Sequence, residues 1–221
     1  ALAAKVELMT SLPLETHYLG TVNDGRLDLY SGRLRLRAPD GSASEFDEDD
    51  WAAHLREETL ATSYGKYVSC LAGDGARVPF RVGPLARLNC ADRLDTPLAQ
   101  AELERFRELG GHPCHQTVMF HTARLVELLH AAEKLAEIAA DPEILSDQVC
   151  AGPKKSPKSA TAHVEAPRGV LIHDYSVDAD GIVTAANLIV ATQQNLSSID
   201  RTLGQSAERY LDRPDDELLN G

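Results

Sequence analysis

Pro167-Arg168-Gly169 is the stretch of this sequence best suited to chemistry, inside the run Val164-Glu165-Ala166-Pro167-Arg168-Gly169-Val170-Leu171-Ile172-His173. Proline fixes the backbone just before the cation, and glycine just after it permits close packing or an unusual dihedral angle. A guanidinium held in one place can orient anions or polarised small ligands. A structural turn with an outward arginine fits the same three residues equally well. The other candidate groups are less organised. His112, His115, His121 and His130 are separated by three, six and nine residues, whereas a two-histidine metal face on a helix wants a spacing of four with an acidic partner. Ordinary core or surface histidines are expected there. His173, Asp174 and Tyr175 adjoin one another, but neighbours along a strand face opposite sides. Cys70, Cys90, Cys114 and Cys150 form no C-x-x-C pair and are expected as buried or incidental thiols in a reducing compartment. No serine sits in a G-x-S-x-G elbow and no glycine-rich phosphate loop is present, so a nucleophile or nucleotide site is unsupported.

The chain has 221 residues, 43% of them apolar and 25% charged, which places it among globular proteins with a substantial core. With 22 Lys+Arg against 34 Asp+Glu, its formal net charge of −12 argues against tracking a nucleic-acid backbone. No apolar run reaches the roughly 20 residues of a membrane span, and Ala1–Leu8 lacks the basic flank and apolar stretch of a signal peptide. The expectation is a cytoplasmic protein.

The elements that must hold Arg168 are read from periodicity and turn chemistry. Leu27, Leu29, Leu34 and Leu36 alternate with polar residues around Ser31-Gly32, which predicts a first hairpin. Asp47-Glu48-Asp49-Asp50 before Trp51 and Leu55 reads as the solvated acidic start of a helix. Residues 79–85 read as extended and turn-rich. Thr96-Pro97 opens a helix that Gly110-Gly111 ends. A longer helix runs over 116–140, with Met119, Leu125, Val126, Leu129, Ala132, Leu135, Ile138 and Ala139 near a 3.6-residue period, until Asp141-Pro142 stops it. Residues 152–159 form a basic loop. A second hairpin joins 169–177 to 182–192 across Asp178-Ala179-Asp180-Gly181. An amphipathic helix follows through Ile199, Leu203, Ala207, Tyr210 and Leu211. The blocks do not alternate regularly, so the expected class is α+β and helix-rich, with long core helices and two peripheral hairpins. Ala1–Met9 reads as the last turns of a helix and Pro214–Gly221 as the opening of another. The expectation is that residues 1–221 are the central-to-C-terminal segment of a longer protein.

Several stretches in order carry a family resemblance: Tyr18-Leu-Gly20, Arg81-Val-Gly-Pro-Leu-Ala-Arg-Leu-Asn89, Ala91-Asp-Arg93, Thr96-Pro-Leu-Ala99, Ala123-Arg-Leu-Val-Glu127, Glu165-Ala-Pro-Arg-Gly169 and Ala186-Asn-Leu-Ile-Val-Ala-Thr192. Together they resemble the large subunit of nickel–iron hydrogenases, closest to the cytoplasmic, NAD-reducing and cofactor-coupled group. The resemblance implies dihydrogen cleavage at a nickel–iron centre whose iron carries carbonyl and cyanide ligands. In that family two C-x-x-C pairs hold the metals; neither is present here, so this chain alone is not expected to ligate them.

Residue by residue, the resemblance places Arg168 over the centre, hydrogen-bonded to a cyanide. Arginine deprotonates only above about pH 12, so it serves better as electrostatic support than as a base. Thr192 would donate to the second cyanide, with the Ala191 backbone nearby where the family often has proline. Pro167 would line the pocket. The Leu188 carbonyl matches a ligand position for magnesium. His173 would support the site from behind; Glu165 would do the same or serve as a salt-bridged framework carboxylate. Implied partners are an iron–sulfur small subunit, an NAD-reducing diaphorase or similar subunits, and maturation proteins. A nickel-free quinone-binding relative in respiratory complexes and a non-catalytic assembly module are the alternatives.

Overall fold

A computed structural model of the protein describes residues 11–150 and 158–211. Eleven strands in three sheets and five α-helices are formed among these residues, an α+β arrangement with more sheet than a helix-rich, two-hairpin fold.

The first sheet is built on β1 (His17–Asn23), which pairs with β3 (Arg33–Arg37), itself paired with β4 (Ala43–Phe46). Two short strands share the other edge of β1, β2 (Arg26–Leu27) antiparallel and β8 (Phe80–Arg81) parallel. The hairpin expected between Leu27 and Leu36 is therefore not formed. Asp24 (φ +50°) and Gly25 (φ +74°) make the tight turn instead, with Asn23 opposite Arg26. The Asp28 carboxylate then accepts the N–H groups of Tyr30 and Ser31 at 2.9 Å each, which ends β2 and frees β3 to cross to β1.

The acidic run is a 3-10 turn (Glu48–Asp50) leading into a single helical turn, α1 (Trp51–His54); Leu55 already begins β5 (Leu55–Glu58). This strand pairs with β6 (Tyr67–Leu71), and β6 with β7 (Arg77–Val78). The stretch expected as extended at 79–85 is so only in part. Gly83 ends it, and Pro84 occupies the first position of α2 (Pro84–Cys90), where its missing N–H costs nothing. All of α2 is buried.

Helices α3 (Pro97–Gly110) and α4 (Phe120–Ala140) lie where periodicity and capping put them, with a 3-10 turn (Thr117–Met119) ahead of α4. Ala123, Val126 and His130 face the core, whereas Leu125, Leu135 and Ile138 are exposed. The last sheet holds β10 (Gly169–Val177) at its centre between β9 (Ser159–Ala166) and β11 (Val183–Ile189). The expected hairpin is thus two-thirds of a sheet, and β9 starts where the basic loop is expected to end. Helix α5 (Ala191–Tyr210) begins earlier than the apolar spacing from Ile199 implies. The rest of the basic loop and the two expected terminal helices lie outside the described residues. No described helix is long and apolar enough to cross a membrane.

Alternation along β1 divides the core in two. Tyr18 enters the helical half with Leu85, Leu88, Leu103, Phe106 and Met119, while Leu19 enters the sheet half with Phe46, Phe80, Val170, Ile172 and Ile189. Cys70, Cys90 and Cys114 are buried free thiols in these cores and Cys150 is exposed. His115 Nδ1 lies 2.7 Å from the Tyr18 hydroxyl, and His130 Nδ1 lies 2.8 Å from Thr96 Oγ1.

Burial, the largest influence on each, holds His17, His54, His112, His115 and His130 below their ordinary value of 6.5. On acidification the unfolded chain takes up protons on these rings before the folded one. Their contribution to stability is complete above pH 6.5 and is lost as the pH falls toward the lowered folded values. The midpoint of urea unfolding is expected to be lower at pH 5.5 than at pH 7.5; an unchanged or higher midpoint at the acid pH would contradict these placements.

Candidate active site

The register of β9 and β10 sets Gly169 opposite Ala166, so Pro167 and Arg168 are the two residues of a tight turn. Gly169 has φ +131°, and a Cβ there would lie 2.6 Å from the Gly83 nitrogen. Gly83 has φ +103°, and a Cβ on it would lie 2.8 Å from the Arg168 carbonyl oxygen. Two residues without a Cβ are therefore what lets the segment before α2 cross directly against the Arg168 turn.

Arg87, in the middle of buried α2, holds the turn from behind. Its Nη1 donates to Glu165 Oε2 at 2.9 Å and to the Ala166 carbonyl at 3.0 Å, and its Nη2 donates to the Pro167 carbonyl at 3.4 Å. The same guanidinium grips Glu127 of α4 through two bonds, Nε to Oε1 at 2.6 Å and Nη2 to Oε2 at 2.8 Å. Glu165 Oε1 accepts the Thr21 N–H of β1 at 2.9 Å. Burial alone would lower the Arg87 value, but the two carboxylates outweigh it and raise it above that of an ordinary arginine. Burial pushes the Glu165 carboxyl up, with Arg87 and the Thr21 amide pulling the other way. The Glu165 carboxylate is thus held in a buried ion pair with Arg87.

Helix α5 supplies the opposite wall. Its second residue, Thr192, is exposed, while Ala191 packs into the sheet core. Gln194 Nε2 donates to the Val170 carbonyl at 2.6 Å, and Ser198 Oγ to the Phe80 carbonyl at 3.2 Å. Asn195 bonds Val82 twice, accepting its N–H at 2.9 Å and donating to its carbonyl at 3.2 Å. Across the helix start, Glu57 accepts from Asn187 at 2.7 Å and from Gln193 at 3.1 Å.

Between these walls opens a cleft of about 490 Å³. Its polar lining includes Arg81, Arg124, Arg168, Thr192, Asn195 and Ser198, over apolar ground that includes Leu85, Phe120 and Leu203. Arg81 is buried and committed to Thr16, Thr117, Tyr18 and the Leu14 carbonyl. Arg124 lies 4.8 Å from the Phe120 ring centroid. Arg168 has no carboxylate partner among the described residues. The lining offers guanidinium, hydroxyl and carboxamide groups, with no carboxylate, thiol or imidazole among the described residues. Guanidinium groups in such a lining suit anionic or acceptor ligands. Among the described residues no three His, Cys, Asp or Glu side chains are grouped to hold a metal.

Of the residues singled out from sequence, Arg168 and Thr192, both exposed, line this cleft. Pro167 is exposed beside it, and its carbonyl turns back to Arg87. Leu188 and His173 face each other across the β10–β11 ladder, and the His173 ring meets Tyr175 edge-on instead of lining the cleft. Sequence reading misses the roles of Arg87, Arg124 and Asn195. Arg87 belongs to the Arg81–Asn89 stretch, and Arg124 and Glu127 to the Ala123–Glu127 stretch, so a signal was present for these; nothing local marks Asn195.

No protein-family profile matches the chain. It is 40% identical over 196 residues to one chain of the vhu F420-non-reducing hydrogenase of Methanococcus voltae, covering 88% of this chain and 47% of that protein. It is 41% identical over 197 residues to the NAD-reducing hydrogenase HoxS subunit beta of Cupriavidus necator, covering 86% of this chain and 40% of that protein. The chain therefore spans less than half the length of these curated relatives. Among solved structures, it superposes on an NAD+-reducing NiFe hydrogenase in the H2-reduced state with a TM-score of 0.87 and 32% identity, over 96% of this chain and 47% of the other. The Ni-Fe-Se hydrogenase of D. vulgaris Hildenborough shares the fold, with a TM-score of 0.62 at 21% identity over 88% of this chain and 46% of the other.

Proposed function

We propose, on the premise that this chain is a homologue of hydrogenase subunits over most of its length, that it is a segment of the catalytic large subunit of a nickel–iron hydrogenase. The whole protein would interconvert dihydrogen with protons and electrons in the cytoplasm. One observation carries the reading: Arg168 and Thr192 come from separate elements yet line one largely apolar cleft, to which they bring N–H and O–H donors. That lining suits the anionic cyanides of a nickel–iron centre and not the metals themselves, whose thiolates would come from sequence beyond these residues.

The centre, when bound, supplies the redox chemistry of dihydrogen cleavage. The share of this chain is placement and electrostatics. Arg168 would present the planar pair of N–H donors of its guanidinium to an anionic ligand and stabilise negative charge there. Thr192 donates its hydroxyl to the second anionic ligand. Pro167 and the Ala191 backbone fix where those two groups begin. The Leu188 carbonyl would serve as a magnesium ligand, an oxygen donor suited to a hard ion. His173 and Glu165 act from behind the site, Glu165 through Arg87. Electrons would pass to a small iron–sulfur subunit, then to NAD through a diaphorase-like partner; the NAD-reducing relatives support that acceptor. Maturation proteins would assemble the centre.

The test is metal analysis with dihydrogen-dependent dye reduction on the matured full-length protein. Stoichiometric nickel and iron with dye reduction are expected. Matured protein without nickel and without dye reduction would refute the reading and favour the nickel-free, quinone-binding relative.

A further inference from the structure

Thr192 and Arg168 act together only if the helix bearing one and the turn bearing the other keep a fixed separation. The geometry points to Asn195 as the positioning residue that sets it, an inference that rests on the function proposed above. Asn195 lies three residues after Thr192 in α5, on the same face of the helix. Its carboxamide spends both ends on one residue of the crossing segment, Oδ1 on the Val82 N–H at 2.9 Å and Nδ2 on the Val82 carbonyl at 3.2 Å. Val82 and Gly83 are in turn the residues against which the Arg168 turn is seated. A Cβ on Gly169 would lie 2.5 Å from Val82 Cγ2, and one on Gly83 would lie 2.8 Å from the Arg168 carbonyl. There is no slack in that crossing.

A displacement of Val82 relative to α5 is therefore passed to the backbone of Arg168. Only a short side chain with a donor and an acceptor can make the double contact; aspartate could accept but not donate, and an aliphatic residue could do neither. The neighbouring Gln194 fastens α5 to the Val170 carbonyl of β10, and Ser198 fastens it to Phe80. Both contacts survive loss of Asn195, so the helix stays docked while the crossing segment is released.

The experiment uses Asn195→Ala, Arg168→Lys and the double variant of the full-length protein, with rates expressed per nickel. Asn195→Ala is expected to lower kcat about 10-fold with KM for dihydrogen unchanged, because misplacement by a fraction of an ångström costs rate more than binding. In the Arg168→Lys background it should cost less than about 2-fold, since the group it positions is already altered. In metal-free protein, amide hydrogen exchange should rise at 168–169 as well as at 82–83. An equal fractional loss in both backgrounds, an unchanged kcat per nickel, or unchanged exchange at 168–169 would overturn the inference while leaving the proposed function standing. Full activity in Arg168→Lys alone would remove the assigned role of Arg168 and this inference with it. If Asn195→Ala does not load nickel, Asn195→Asp, which keeps the bond from the Val82 N–H, enters the same cycle under the same criteria.

Discussion

Arg168→Lys lowers dihydrogen-dependent dye reduction per nickel by about 100-fold or more, the scale for removing one preorganised donor from a charge-stabilising site. The substitution separates charge from shape. Lysine keeps the positive charge, so a role in bulk electrostatics alone would survive the change. What it loses is the planar fork that can present two N–H groups to one anion. The turn itself should persist, because Arg87 binds the carbonyls of Ala166 and Pro167 and not the side chain of Arg168. Nickel and iron contents are therefore expected to match those of the unaltered protein. Activity per nickel within about 2-fold of the original would show that Arg168 is only part of the framework.

Arg87→Ala is expected to cost about 3–5 kcal/mol of stability, the scale for breaking a buried ion pair by removing one partner. The Glu165 side chain is 0% exposed, and without Arg87 its remaining hydrogen bond among the described residues is the one from the Thr21 N–H. Glu127 loses its bidentate partner at the same time, and two backbone carbonyls lose donors. Glu165→Gln should be milder, about 1–3 kcal/mol, since a neutral amide removes the charge but leaves groups that can still bond. Guanidinium unfolding of the full-length protein measures both. A loss below about 1 kcal/mol for Arg87→Ala would mean that the three motif stretches it joins are not held by this residue.

Much of the site is legible in the sequence because its residues carry conformational signatures. Proline before Arg168 and glycine after it announce a constrained turn, and the structure shows why the glycine is needed: the turn has two residues, and a Cβ on Gly169 would run into Val82 and Gly83. Helices α3 and α4 are legible through a proline start, a glycine stop and a 3.6-residue period. Where the reading fails, a local signal is outweighed. The leucines at 27, 29, 34 and 36 alternate well, yet Asp24-Gly25 is the stronger turn, and Asp28 takes the backbone donors that a Ser31-Gly32 hairpin would have needed. Strand β9 lacks strong alternation because it is an edge strand with a single buried position, Glu165. The buried network around Arg87 is out of reach, since its partners lie 40 and 78 residues away. Only packing brings Arg81–Asn89, Ala123–Glu127 and Glu165–Gly169 to one guanidinium.

The most direct measurement is anomalous X-ray scattering at the nickel and iron absorption edges from crystals of the matured full-length protein. Both metals are expected in the cleft between the 167–169 turn and the start of α5, with the Arg168 guanidinium and the Thr192 hydroxyl turned toward them. Metal peaks elsewhere in the molecule, with Arg168 pointing into solvent, would contradict it.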